Sequence, residues 1–266
     1  MLRITVLNDN RPCSPLLGCE HGLSLFLESQ EKTILFDTGN TDLFLQNAEK
    51  LGIHPEKADI IVLSHGDYDH TGGLRYLPGG QRLLAHPACT RFRISRARGT
   101  FAGMPIAADE LQAKFRTGFS REPVNLDGNV TFLGEIERTL DFEGKSFPMI
   151  DAEGRTYPCP DDSGLMIKTQ EGLIVISGCA HSGICNTVEY AKKLSGISRV
   201  RAVLGGFHLL KMDEAAQKTI DYMRSHVEHV YLAHCTADEV CSAFCEQLPE
   251  MTEILGTGKV LEWEDE

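Results

Sequence analysis

The sequence predicts an α/β protein, because short apolar strands and amphipathic helices alternate along it. Three strand patterns come first in the 266-residue chain, at residues 2–8, 23–28 and 33–39. A helical pattern over residues 41–51 ends at Gly52, and a β-branched run at residues 60–63 follows as a buried strand. Elements that alternate in this way pack as layers of sheet and helix.

The second half of the chain continues the alternation. Its predicted strands lie at residues 130–133, 165–168, 173–176, 200–204, 229–233 and 260–263, the last as an edge strand. Its predicted helices lie at residues 184–195, 213–223 and 239–248. A chain of this length can build one large core, so we predict a single domain over residues 1–266.

Residues 78–141 fit the alternation poorly and are predicted to form an insert that contributes to the substrate pocket. A short strand is predicted at residues 82–86 and a helix at residues 87–96, but the sequence beyond Gly99 is weakly periodic. Irregular segments of this length inside a compact domain are more often functional loops than connectors.

The same region concentrates positive charge. Between Arg75 and Arg121, nine basic residues accompany two acids, although the whole chain has a net charge of −12. This imbalance predicts contact with an anionic small molecule, with Arg91, Arg93 and His86 as candidate contacts. The alternatives are a solvated positive face and, for His86, a structural histidine.

Composition excludes several classes of protein. The net charge of −12 argues against a nucleic-acid partner, and no apolar run approaches the ~20 residues that span a bilayer. The start of the chain lacks the pattern of an export signal, which predicts a cytoplasmic location. The nine cysteines include no Cys-x-x-Cys pair, so we expect reduced thiols, and Cys241 and Cys245 are expected in a helix core rather than on a metal.

A dense group of metal donors follows the strand at residues 60–63. His65, Asp67, Asp69 and His70 lie within six residues and are followed by Gly72-Gly73. Crowded imidazoles and carboxylates repel and desolvate one another unless a cation relieves them. The pattern therefore predicts a metal-binding loop at a strand end, where the alternative is a polar surface turn.

Histidines also follow three later strands. His181, His208 and His234 each stand just beyond a predicted strand end. One such residue is uninformative, but three in the same context indicate a common site. Imidazole suits zinc or iron, while carboxylates widen the choice towards manganese and iron.

The loop at residues 65–70 resembles the His-x-His-x-Asp-His signature of the metallo-β-lactamase fold superfamily. Asp67 stands where that signature usually has its second histidine. The segments Gly-Cys-Ala-His-Ser-Gly, Gly-Gly-Phe-His-Leu and His-Cys-Thr are similar to the subgroup named after dihydropterin-linked ribofuranosyl-aminobenzene phosphate synthase. The resemblance covers the whole chain and implies a four-layer αββα sandwich, with the inserted segment over the active site.

The resemblance also implies roles for individual residues. One metal would be held by His65, Asp67 and His181, and a second by Asp69, His70 and His234. Asp69 and His208 would be catalytic, and the alternatives for His208 are a metal ligand or a substrate contact. Cys179 stands roughly where the superfamily has a bridging aspartate, for which Asp161 or Asp162 is a candidate substitute, and Asp162 is included among the metal ligands. Asp37 would orient ligand histidines, or alternatively cap the following helix.

The resemblance implies a metal-dependent hydrolase that uses one or two zinc ions, or iron or manganese, to activate water. The basic segment predicts that the substrate is a phosphorylated or otherwise anionic small molecule. The first alternative is a transferase of the namesake synthase type. The second is a non-hydrolytic di-iron redox, sensor or ligand-binding protein, which the oxygen donor Asp67 and the nearby Cys179 motivate.

Overall fold

A computed structural model describes residues 1–145 and 147–264, which fall into two compact units. Unit 1 comprises Met1–Arg121, Pro148–Asp161 and Leu255–Glu266, and unit 2 comprises Glu122–Phe147 and Asp162–Ile254. Within the described residues, no helix is long and apolar enough to cross a membrane.

The regular elements have the following bounds. The α-helices α1 to α6 are Leu43–Leu51, Tyr68–Thr71, Ala108–Lys114, Ile184–Ser195, Glu214–His226 and Asp238–Gln247. Strands β1 to β9 are Leu2–Asn8, Ser24–Glu28, Thr33–Phe36, Ile60–Val62, Arg82–Ala85, Ile94–Ser95, Arg116–Phe119, Val124–Asn125 and Val130–Phe132. Strands β10 to β17 are Met149–Ile150, Thr156–Tyr157, Gly164–Thr169, Gly172–Ser177, Val200–Gly205, Val227–Leu232, Thr252–Ile254 and Val260–Trp263.

Unit 1 contains a seven-stranded sheet with the order β17-β1-β2-β3-β4-β5-β7. The strands from β17 to β3 pair antiparallel, and those from β3 to β7 pair parallel. One core joins this sheet to α1 and α3 through buried side chains such as Leu35, Phe44, Ile61 and Leu111. Because β3 and β4 are parallel, Asp37 and Ser64 follow neighbouring strand ends at one edge of the sheet.

Unit 2 contains a second seven-stranded sheet with the order β16-β15-β14-β13-β12-β9-β8. Strands β12 and β13 form an antiparallel hairpin, and β13 to β16 pair parallel. Helices α4, α5 and α6 pack on this sheet through buried residues such as Val188, Ile220 and Phe244. The parallel pairing brings the ends of β13, β14 and β15 to one edge, and each of these strands is followed by a predicted histidine.

The structure confirms the predicted α/β class and corrects one detail. Residues 78–141 supply β5 and β7 to the sheet of unit 1 and β8 and β9 to the sheet of unit 2, while their contribution to a substrate pocket stays a prediction. The helix predicted at residues 87–96 is wrong, because this stretch is a turn followed by β6. The backbone carbonyls of Ala88 and Cys89 accept hydrogen bonds from the guanidinium of Arg93, which takes acceptors that a helix would have used.

Candidate metal-binding site

In unit 1, a buried hydrogen-bond network holds the two histidines of the loop at residues 65–70, here called the ligand loop. The carboxylate of Asp37 accepts from the backbone N–H of Ser64 at 2.8 Å, from the Ser64 hydroxyl at 2.6 Å and from Nδ1 of His70 at 2.7 Å. Ser64 Oγ in turn lies 2.8 Å from Nδ1 of His65. Both rings therefore have their Nδ1 engaged by protein groups, which fixes their orientation and leaves Nε2 as the donor for a ligand.

The two imidazoles are packed together without contact with solvent. Both are fully buried and their ring centroids are 4.2 Å apart. Burial and then the neighbouring His65 lower the pKa of His70, against the opposing effect of Asp37. A neutral imidazole with one nitrogen already committed to a carboxylate is the form that binds a metal ion.

The two aspartates of the loop have different partners in unit 1. Oδ2 of Asp67 lies 3.5 Å from Nε2 of His65, and Oδ2 of Asp69 lies 3.0 Å from Nε2 of His21. His21 was not predicted, and its only sequence signal is its place in the polar loop between β1 and β2. The side chain of His21 is half-exposed and Asp69 is buried, so this pair connects the loop to solvent.

Arg93 has a role that the sequence did not predict. Its side chain is fully buried, with Nη1 3.0 Å from Oδ1 of Asp67 and Nη2 2.7 Å from Oδ2 of Asp161. Burial raises the pKa of Asp161, but the charge of Arg93, the neighbouring His65 and the hydrogen bond from Arg93 together hold that pKa below its usual value. The Arg93 cation is thus committed to protein carboxylates, whereas Arg91 is exposed and its contact with a substrate stays a prediction.

Unit 2 contains its own cluster of metal donors at the ends of β13, β14 and β15. Cys179, His181 and His208 each place a donor atom within 4.8 Å of the others, and so do Cys179, His234 and Cys235. The rings of His181 and His208 are 4.3 Å apart between centroids. Among the described residues, neither ring nitrogen of His208 has a hydrogen-bond partner, although both atoms are buried. Imidazole and thiolate donors of this kind fit zinc or iron.

Backbone strain is concentrated at these same positions. Asp37, His208 and His234 have φ angles of 57°, 49° and 46°, in the left-handed region that residues other than glycine rarely occupy. Such strain persists only where surrounding structure enforces it, and it is common at functional sites. The positive φ angles direct these three side chains differently from the extended backbone of a strand.

Two remaining candidates have structural partners. Oδ2 of Asp162 accepts from the backbone N–H of Ser182 at 2.8 Å, while its buried Oδ1 has no hydrogen-bond partner among the described residues. His86 is buried, and its Nδ1 accepts from the backbone N–H of Ala88 within the turn after β5. Asp162 therefore keeps one oxygen for a ligand, and the ligand role predicted for it stays a prediction.

A cavity of about 590 Å³ in unit 2 adjoins the donor cluster. His181, His208 and Phe207 line it together with Glu143 and Lys145. The Glu143 carboxylate caps the first turn of α4 by accepting from the backbone N–H groups of Cys185 and Asn186. Glu143 was not predicted to line a cavity, because it lies in an irregular segment.

Glu143 is expected to make stability depend on pH. Burial raises its pKa to about 7 from 4.5, so between these values the folded protein holds a proton that the unfolded chain has released. Stability should therefore fall by about 3 kcal/mol as pH rises from 4.5 to 7. Urea unfolding from pH 5 to 8 should show that Glu143→Gln flattens this slope. The exposed Glu250→Gln is the control, and an unchanged slope in Glu143→Gln would contradict the assignment.

Comparison with known proteins agrees with this geometry. The family model described as metallo-beta-lactamase superfamily matches residues 17–82, which include the ligand loop. The chain is 35% identical over 268 residues to the 7,8-dihydropterin-6-methyl-4-(beta-D-ribofuranosyl)-aminobenzene-5'-phosphate synthase of Methanocaldococcus jannaschii, with 92% of this chain and 90% of that protein covered. The chain belongs to the metallo-β-lactamase superfamily.

Solved structures place the fold in the same superfamily. A metal-dependent hydrolase of the β-lactamase superfamily aligns over 100% of both chains with a TM-score of 0.88 and 31% identity. A diphosphatase from the PhnP family aligns with a TM-score of 0.58 and 17% identity over 99% of this chain and 98% of that one, which shows the fold alone. The predicted metallo-β-lactamase fold is confirmed. This fold implies a divalent metal, and the two donor clusters of unit 2 fit one, while the ligand sets predicted from the resemblance stay a prediction.

Proposed function

We propose that the protein is a metal-dependent hydrolase that acts on an anionic, phosphorylated small molecule. The observation that carries this proposal is the buried network in which Asp37 and Ser64 hold Nδ1 of His70 and His65, so that Nε2 is the nitrogen with which each ring would bind a metal. A structural histidine pair would not need hydrogen bonds that orient both rings in this way. Membership of a superfamily of metal-dependent hydrolases supports the same conclusion.

The donors in unit 1 that would hold a metal are His65, His70, Asp67 and Asp69. In unit 2 they are Cys179, His181, His208 and His234, of which His208 also lines the cavity beside the cluster. A bound divalent metal would supply Lewis acidity and lower the pKa of water. Zinc suits the imidazole and thiolate donors best, with iron or manganese as alternatives in the oxygen-rich part of the ligand loop.

The chain's own residues supply proton transfer and substrate binding. Oδ2 of Asp69, 3.0 Å from the half-exposed His21, is positioned to accept a proton and pass it towards solvent. The exposed Arg91 would contact an anionic group of the substrate. Among the described residues no cysteine forms a disulfide, which supports the proposed cytoplasmic location.

The decisive experiment measures metal content and hydrolysis together. His70→Ala should lose bound metal. Its rate of hydrolysis of phosphate esters that wild type hydrolyses should fall by about 100-fold or more, because a metal ligand and the water activated by that metal are lost. The matched control is His54→Ala, since His54 is exposed and pairs only with Glu56 at the surface. Hydrolysis by a His70→Ala protein that contains no metal would overturn the proposal.

A transferase is the second candidate, because the synthase from M. jannaschii is 35% identical over nearly the whole chain. A hydrolase consumes one substrate and water, whereas a synthase needs two substrates and is inactive with either alone. A reduced pterin should then raise the melting temperature of metal-loaded protein, because a ligand that binds only the folded state stabilises it. Phosphate release from a phosphorylated substrate without pterin would favour the hydrolase.

A further inference from the structure

Arg93 is the largest side chain that is fully buried among the described residues. Burying a guanidinium is costly unless its charge is balanced and its hydrogen bonds are made. The guanidinium of Arg93 must therefore be paired with specific groups that its fixed positive charge stabilises.

The guanidinium lies between two carboxylates of unit 1. Nη1 donates to Oδ1 of Asp67 at 3.0 Å, and Nη2 donates to Oδ2 of Asp161 at 2.7 Å. The guanidinium carbon also stands 4.5 Å from the ring centroid of Tyr157, as in a cation–π contact. Two carboxylates that converge on one cation form the arrangement in which proteins commonly hold a metal ion.

Both carboxylate oxygens of Asp161 accept hydrogen bonds in this arrangement. Its Oδ2 also accepts from the backbone N–H of Gly66 at 2.8 Å, and its Oδ1 accepts from the Tyr157 hydroxyl at 2.9 Å. Asp67 differs, because its Oδ2 faces Nε2 of His65 at 3.5 Å. Only one of the two carboxylates therefore keeps an oxygen directed towards a metal-binding histidine.

We propose that the guanidinium of Arg93 takes the place of a metal ion between Asp67 and Asp161. Its positive charge thereby weakens the binding of a divalent metal by the ligand loop. This inference rests on the proposed binding of metal by the loop of unit 1. The two aspartates and Arg93 sum to a formal charge of −1, and removing Arg93 makes it −2. A divalent cation should then bind more tightly, because a nearby positive charge that repels it is gone.

The test compares a variant that keeps the charge with one that removes it. Competition titration with zinc should show binding tighter by about tenfold or more in Arg93→Met, or one additional equivalent, while Arg93→Lys stays close to wild type. If Arg93 only supported the fold, Arg93→Met would bind zinc as weakly as wild type or more weakly. That result would overturn the proposal.

A second pair of variants covers the case in which Arg93→Met does not fold. Asp161→Asn leaves Arg93 paired with Asp67 at zero net charge, and Asp161→Asn/Arg93→Met restores −1. Zinc affinity should rise by about tenfold or more from the single to the double variant. An equal or lower affinity would overturn the role of Arg93. Failure of the proposed function would differ, because wild type and His70→Ala would then contain the same amount of metal.

Discussion

Replacing Gly66 with alanine is expected to destabilise unit 1 by about 3 kcal/mol or more and to abolish metal binding by the ligand loop. A Cβ atom at this position would stand 1.7 Å from the carbonyl oxygen of Cys89, and that oxygen belongs to backbone. No side-chain rotation can relieve such a contact. The backbone would have to move, and the hydrogen bond from Gly66 to Asp161 moves with it.

The measurement is urea unfolding of Gly66→Ala, combined with zinc content after purification. Gly118→Ala is the matched control, because Gly118 also has an ordinary φ and the nearest atoms to its added Cβ are 3.8 Å away. The control should unfold at nearly the wild-type urea concentration. If Gly66→Ala unfolds at the same urea concentration as the control, the backbone at Gly66 does not pack against the carbonyl oxygen of Cys89 as described.

The elements that the sequence predicted well are those in which local pattern and burial agree. Strand β4 is uniformly apolar and buried, so its end and the donors that follow were evident from periodicity alone. The predicted end of helix α1 at Gly52 is confirmed, and Gly52 adopts the left-handed conformation that is common after a helix. The catalytic and metal-binding roles of these donors nevertheless stay predictions.

The features that the sequence did not predict depend on contacts between distant parts of the chain. Arg93 meets a carboxylate 26 residues before it and another 68 residues after it, and no local pattern signals either. The same side chain explains the wrong helix at residues 87–96, since its bonds to two carbonyls compete with helical ones. Glu143 likewise lies 42 residues from the first N–H group of α4 that it caps.

Replacing Asp37 is expected to separate folding from metal binding. Asp37→Ala leaves the N–H of Ser64 and Nδ1 of His70 without their carboxylate in a fully buried site, which should cost about 3 kcal/mol or more. Zinc affinity should fall by about 10- to 100-fold as well, because the orienting hydrogen bond on His70 is lost.

Asp37→Asn should fold more stably than Asp37→Ala and still bind zinc poorly. The amide oxygen can keep the hydrogen bond from the Ser64 N–H, but the amide N–H₂ would take the place of Oδ2, the oxygen to which Nδ1 of His70 donates. His70 would then have to accept at Nδ1 and carry its proton on Nε2, the nitrogen that a metal needs. Zinc titration and urea unfolding of both variants, with the exposed Asp109→Asn as control, measure the two effects separately. Zinc affinity equal to wild type in Asp37→Asn would show that the tautomer of His70 is not set by Asp37.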